Sequence, residues 1–110
     1  MKNAEYVPAN FRISPEAAVK LTELTEMASQ TAARSMIPAL FWAEEYDEIK
    51  RKTVVLGLSI GWFYRDDIPA TLLQDVDGVT LIFSIGQNEA SHFNARTVDF
   101  REDKFFLTGR

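Results

Sequence analysis

The chain has 110 residues, 46% of them hydrophobic, with eight Phe, three Tyr and two Trp, which is enough apolar matter for one core and far from a disordered composition. Its net charge of -4 and pI near 4.9 exclude the basic footprint that a phosphate backbone requires, so nucleic acid is not an expected partner. With no cysteine, disulfide, thiol and cysteine-ligated metal chemistry are excluded as well. The opening run Met1-Lys2-Asn3-Ala4-Glu5-Tyr6 is too polar for a signal peptide, and no segment reaches the ~20 apolar residues of a membrane helix. A cytoplasmic protein without membrane contact is the expectation.

Residues 1–12 have no periodicity and contain Pro8 and Asn10, so they read as a flexible or edge arm, leaving residues 13–110 as a single domain. A helix starts next: Ser14 suits the cap, Pro15 the first helical position, and Glu16 the positive end of the helix dipole. Ala17, Leu21, Leu24 and Ala28 recur at helical spacing and must pack on a sheet, while Glu16, Lys20, Glu23 and Glu26 mark the wet side. The polar run at residues 29–35 offers no glycine cap, and Pro38 forbids continuation beyond Ile37.

Residues 39–43, Ala-Leu-Phe-Trp-Ala, read as a short buried strand. The acidic block Glu44, Glu45, Asp47 and Glu48 meets the basic block Lys50, Arg51 and Lys52, which predicts a solvated connection between strands. Val54, Leu56, Leu58, Ile60 and Trp62 then alternate with Val55, Gly57, Ser59, Gly61 and Phe63, so the first set is expected to face one core. Asp66-Asp67 closes that strand. Residues 70–73 and 79–85 form a hairpin about Asp77-Gly78, whose glycine supplies a positive φ. Gly86-Gln87-Asn88 breaks the pattern before a turn of helix at residues 89–93 that Asn94 ends in the left-handed region. Two last strands at residues 96–100 and 104–107 flank Arg101-Glu102-Asp103. The fold class is α+β, an N-terminal helix packed on a compact β-sandwich of short mixed strands.

Few residues offer chemistry. His92 is the single histidine and with Asp99 and Glu102 makes at most a mixed nitrogen and oxygen site. Asp75-Val76-Asp77-Gly78 opens like a calcium loop but lacks the later ligands. Asp66 and Asp67 point to opposite faces if extended, and Ser59 and Ser84 have no histidine beside them in sequence. No glycine-rich phosphate loop follows a strand. Phe41, Trp42, Trp62, Phe63, Phe83, Phe105 and Phe106 recur at strand spacing and serve either as core or as the lining of a cavity. No catalytic, cofactor or metal residue is therefore assigned. The candidate partner-binding residues are Glu44, Glu45, Asp47, Glu48, Lys50, Arg51 and Lys52.

Ile13-Ser14-Pro15-Glu16-Ala17-Ala18, the strand Gly61-Trp62-Phe63-Tyr64-Arg65-Asp66-Asp67, the run Asp77-Gly78-Val79, and the closing Arg96-Thr97-Val98-Asp99-Phe100 together resemble the HesB-like or A-type iron–sulfur carrier family. That resemblance implies a leading helix on a compact β-sandwich. It also implies one cysteine in a glycine-rich loop and a Cys-x-Cys tail. The loop in question corresponds to residues 46–52 and has neither Cys nor Gly, so cluster binding does not carry over. The expected function is a non-enzymatic binding or interaction protein on a HesB-like fold that has lost its cluster ligands, with a protein as partner. The alternative is a small acidic immunity or antitoxin-type inhibitor, suggested by the low pI and the acidic block.

Overall fold

The computed structural model describes residues 6–83 and 87–109, without the side chains of residues 87 and 88. It contains, in order, β1 (Arg12–Ile13), α1 (Pro15–Ala32), β2 (Met36–Asp47), β3 (Lys52–Tyr64), two single 3-10 turns (Arg65–Asp67 and Ala70–Leu72), β4 (Leu73–Val76), β5 (Val79–Phe83), the short α2 (Gln87–Ala90), β6 (Thr97–Arg101) and β7 (Lys104–Thr108). One sheet has the order β1-β6-β7 and the other β3-β2-β5-β4. Both are mixed, since β1 runs parallel to β6 and β2 parallel to β5 while the remaining neighbours are antiparallel. The helix packs on both sheets, which makes the domain α+β.

Helix α1 begins as its residues dictate. Ser14 is extended, its Oγ accepts from the Ala17 N–H, and Pro15 occupies the first turn. Ala17 and Leu21 are fully buried, with Leu24 and Ala28 half-buried on the same stripe. The helix ends without glycine: Ala33 takes the left-handed conformation at φ 55, and the N–H groups of Ala33 and Arg34 donate to the carbonyls of Gln30 and Ser29. Ser29 Oγ then accepts from the Met36 N–H and ties the helix end to β2.

The main core gathers Leu40, Leu81, Phe83, Val76 and Val79 from one sheet, Val98 from the other, and Leu21 from the helix, together with Phe93. Phe11, Phe83 and Phe93 contact one another with centroids 4.9–5.5 Å apart. A smaller core of Ile37, Ala39, Ile68 and Ile82 lies on the opposite face of the four-stranded sheet, under the 3-10 turns.

Several expectations change. Of residues 1–12, expected as a flexible or edge arm, 1–5 lie outside the described residues and Arg12 begins the edge strand β1, while residues 6–11 lie against the core: Val7 and Phe11 are each 5% exposed, and the Gln74 amide accepts from Ala9 N–H and donates to Val7 carbonyl. The strand expected at residues 39–43 extends from Met36 to Asp47. Pro38 is tolerated because, among the described residues, β2 pairs with β5 only at Ala39 and Leu40, so Pro38 itself is not a rung of that ladder. The charged residues expected as a connection are strand ends, and only residues 48–51 form the turn. Residues 70–72 form a 3-10 turn instead of strand, and the hairpin turn shrinks to Asp77 and Gly78, with φ 50 and 87. The short helix covers Gln87–Ala90 rather than residues 89–93, and Ala95, not Asn94, has the positive φ. Residues 84–86, expected to complete a strand and break it, lie outside the described residues.

The largest correction concerns β3. Leu40 pairs with Ile60 and Trp42 with Leu58, but Glu44 pairs with Val55, so Leu56 is an extra residue in the ladder. Gly57, at φ 85, makes this bulge possible. Leu58 and Ile60 pack against the main core as expected, whereas Leu56 turns outward and is 58% exposed.

Candidate functional site

Beyond Leu40, the only strand paired with β2 among the described residues is β3, and in those residues the distal part of the hairpin forms a two-stranded arm. The molecule is correspondingly elongated, with extents of 41 × 31 × 27 Å. Charged residues remain in strand conformation there because a two-stranded ribbon exposes both faces and demands no burial. Asp47 builds the tip: its Oδ1 accepts from the N–H groups of Ile49 at 2.9 Å and Lys50 at 3.1 Å, and Arg51 closes the turn at φ 53.

All seven candidate partner-binding residues lie on this arm. Glu44, Glu45, Glu48, Lys50, Arg51 and Lys52 are exposed, and Asp47 is half-buried by its turn. The hairpin register places Asp47 opposite Lys52, Glu45 opposite Val54 and Glu44 opposite Val55. Among the described residues, the ion pairs are Arg12–Asp77, Arg34–Asp67 and Arg101–Asp99, so no charge on the arm is neutralised within 4.0 Å. The arm's charges are thus presented to solvent rather than spent on one another.

Reading the charges alone missed the apolar side chains beside them. Tyr46 is 59% exposed, Val55 57% and Ile49, at the tip, 94%. Tyr46, Glu44 and Val55 share one face of the ribbon, the face that carries Trp42 and Leu58 nearer the body. Gly57 inside an otherwise regular strand was the available signal, since a bulge there moves Val55 and Leu56 off the faces that plain alternation assigns.

The base of the arm is clamped. Trp42 Nε1 donates to Glu44 Oε1 at 3.3 Å, while its ring stacks on His92 with centroids 4.0 Å apart and planes 5° from parallel. Phe93 meets the same indole edge-on. His92 is therefore half-buried against an aromatic face.

The other candidates have structural partners. Asp77 accepts from Arg12 Nε at 2.9 Å and from the Ile13 N–H at 2.8 Å, and these bonds, the guanidinium first, hold its carboxyl below the usual carboxylate range. Asp99 accepts from Ser14 Oγ at 2.8 Å and from the Phe100 N–H, and its carboxyl is lowered chiefly by that hydroxyl. Asp66 and Asp67 lie in the 3-10 turn after β3. Ser59 Oγ is close only to the Gly57 carbonyl, at 3.4 Å, and Ser84 lies outside the described residues. Among the described residues no three His, Asp or Glu groups converge to hold a metal ion.

The aromatic residues divide. Phe83 is core, whereas Trp62, Phe63 and Tyr64 line an open depression of 420 Å³ with Met36, Asp67 and Ile68. Arg34 stacks on Tyr64 at 3.9 Å on this side of the molecule. Compared with known proteins, the chain matches no family model, no curated protein and no solved structure. No helix among the described residues is long and apolar enough to cross a membrane.

Proposed function

We infer that this is a non-enzymatic binding protein, acting in the cytoplasm, that uses the β2–β3 arm to recognise another protein. The observation carrying this reading is the coexistence, on one braced ribbon, of exposed Tyr46 and Ile49 with unpaired charges of both signs. Solvated connections seldom present large apolar side chains beside free charges on a fixed support, and interface centres favour aromatic anchors within a polar rim. The HesB resemblance belongs to the proposal as a framework without the family's thiolate ligands, and the absence of cysteine from the sequence supports that form of it.

A second reading, an acidic inhibitor of the immunity or antitoxin kind, is favoured by the exposed carboxylates of Glu44, Glu45 and Glu48 on the same arm. It differs in requiring a basic partner surface. One experiment addresses both readings. A partner recovered by affinity capture is assayed for association kinetics against wild type, Tyr46→Ala/Ile49→Ala, and Glu44→Lys/Glu45→Lys/Glu48→Lys, at low and moderate salt. Asp47 is left intact because it builds the turn. The binding reading expects faster dissociation from the first variant. The inhibitor reading expects a slower on-rate from the second, together with steep loss of rate as salt rises. Unchanged kinetics for both variants would remove the arm from the recognition surface.

A further inference from the structure

Strands β2 and β5 run parallel yet pair only at Ala39–Ile82 and Leu40–Phe83, and residues 36–38 and 79–81, all of them described, form no rung ahead of those two. The reason is local. Pro38 has no N–H to donate, the Met36 N–H donates to Ser29 Oγ at 3.0 Å, and β5 starts directly from the Asp77-Gly78 turn. The two strands therefore part. A cavity of 180 Å³ lies in this fork, between Ile37 and Pro38 on one side, Val79 and Thr80 on the other, and Leu21 and Thr25 of α1. A depression of 310 Å³ continues it along the helix, since both are lined by Thr22, Glu26, Gly78 and Val79, and the second adds Ala18, Val19 and Glu23. The outer part by itself reaches the lower end of the ~300–1,000 Å³ of small-ligand sites.

The floor of this groove is apolar, with Leu21, Ile37 and Val79 all buried. Its charges are not. Glu26 lines both parts, Glu23 the outer part and Arg65 the inner part, and all three are exposed. The ion pairs among the described residues are Arg12–Asp77, Arg34–Asp67 and Arg101–Asp99, so Glu26 and Arg65 line one cavity without coming within 4.0 Å of each other. Lys20, three residues before Glu23 on the helix, sits over the Phe100 ring at 5.7 Å instead. Arg65 is fixed through its backbone, whose N–H donates to the Ser35 carbonyl at 2.9 Å and whose carbonyl accepts from the Ile68 N–H at 3.1 Å. The Thr22 and Thr25 hydroxyls donate to the Ala18 and Leu21 carbonyls, and Thr25 also accepts from Trp62 Nε1. The carboxylates and the guanidinium are thus the groups left for a ligand.

We propose that this groove binds a free amino acid with a long basic side chain, of the lysine kind. Its α-carboxylate meets Arg65, its α-ammonium Glu26 and its side-chain cation Glu23, while the aliphatic stem lies on Val79 and Ala18. Two carboxylates and one guanidinium complement the two cations and one anion that such a molecule carries. An acidic amino acid would bring a second anion to Glu23, and a neutral one would leave that carboxylate unpaired. The groove shares no lining residue with the arm, so the inference stands independently of the partner-binding reading.

The test is a titration followed by amide NMR shifts, with L-lysine, Nα-acetyl-L-lysine, L-lysinamide and L-norleucine as probes. L-Lysine is expected to give saturable shifts at Thr22, Glu26, Arg65 and Thr80 with a millimolar or tighter dissociation constant. Each of the other probes lacks one of the three charges and should bind about ten-fold or more weakly, the loss that follows one missing charged hydrogen bond. Arg65→Gln should weaken L-lysine to a similar extent yet leave L-lysinamide as in wild type, and Glu23→Gln should do the same for L-norleucine. Amide shifts remote from the groove report that both variants are folded. Absence of saturable shifts up to about 20 mM L-lysine would overturn the proposal, because affinity weaker than that is no specific site. Undiminished binding of Nα-acetyl-L-lysine would also overturn it, in favour of the carboxyl end of a peptide. Variants that bind L-lysine as wild type does would remove Arg65 and Glu23 from the site and refute the charge assignment.

Discussion

Leu56 and Leu58 have the same side chain two residues apart, so unbroken alternation along β3 would give them the same core contacts. The bulge separates them, because Leu58 packs against the main core while Leu56 is 58% exposed. Leu→Ala in a fully packed site costs about 2–5 kcal/mol from lost transfer energy plus the cavity left behind. Leu40, at 0% exposure and opposite Ile60, should fall in that range. Leu58 is only partly buried and should lose about 1–3 kcal/mol. For Leu56 less than half of the side chain is covered, which limits the loss to under about 1 kcal/mol. Urea midpoints of the three alanine variants, compared at unchanged slope, give the order Leu40, Leu58, Leu56. Equal losses at Leu56 and Leu58 would mean that β3 runs unbroken through Gly57 and that Leu56 faces the core.

Gly57→Ala should cost about 1–2 kcal/mol by thermal or urea denaturation, because φ 85 is strained for any L side chain while the added Cβ would meet only Trp42, at 3.9 Å. A neutral Gly57→Ala would argue against the bulge. The acid limb of stability should involve Asp77 and Asp99, whose carboxyls are held below their ordinary range in the folded chain. Their contribution is complete above the unfolded carboxylate pKa of about 3.9 and disappears as pH falls through the lower folded value. Asp99→Asn should therefore lower the urea midpoint at pH 7 and flatten its fall below about pH 4, whereas an unchanged acid slope would separate the Ser14–Asp99 bond from acid stability.

The start of α1 and the Asp77-Gly78 turn were legible because each is decided within a few residues. Ser14, Pro15 and Glu16 act through one helical turn, and Asp77-Gly78 through a two-residue loop whose backbone angles its own residues favour. The charged character of the candidate site was legible for the same reason, since a run of Glu, Asp, Lys and Arg is exposed wherever the chain places it. What escaped the sequence depends on distant partners. Val7 and Phe11 are held by the core, and Val7 and Ala9 also by Gln74, more than sixty residues away, and nothing in a segment without periodicity announces those contacts. The length of β2, the tolerance of Pro38 and the outward turn of Val55 and Leu56 follow from where β2 stops pairing with β5 and where β3 gains a residue over β2. Alternation along one strand predicts faces only while the register with its neighbour is constant, and that register is a property of two strands together. Only the tertiary structure could convert a charged connection into a braced arm with an apolar tip.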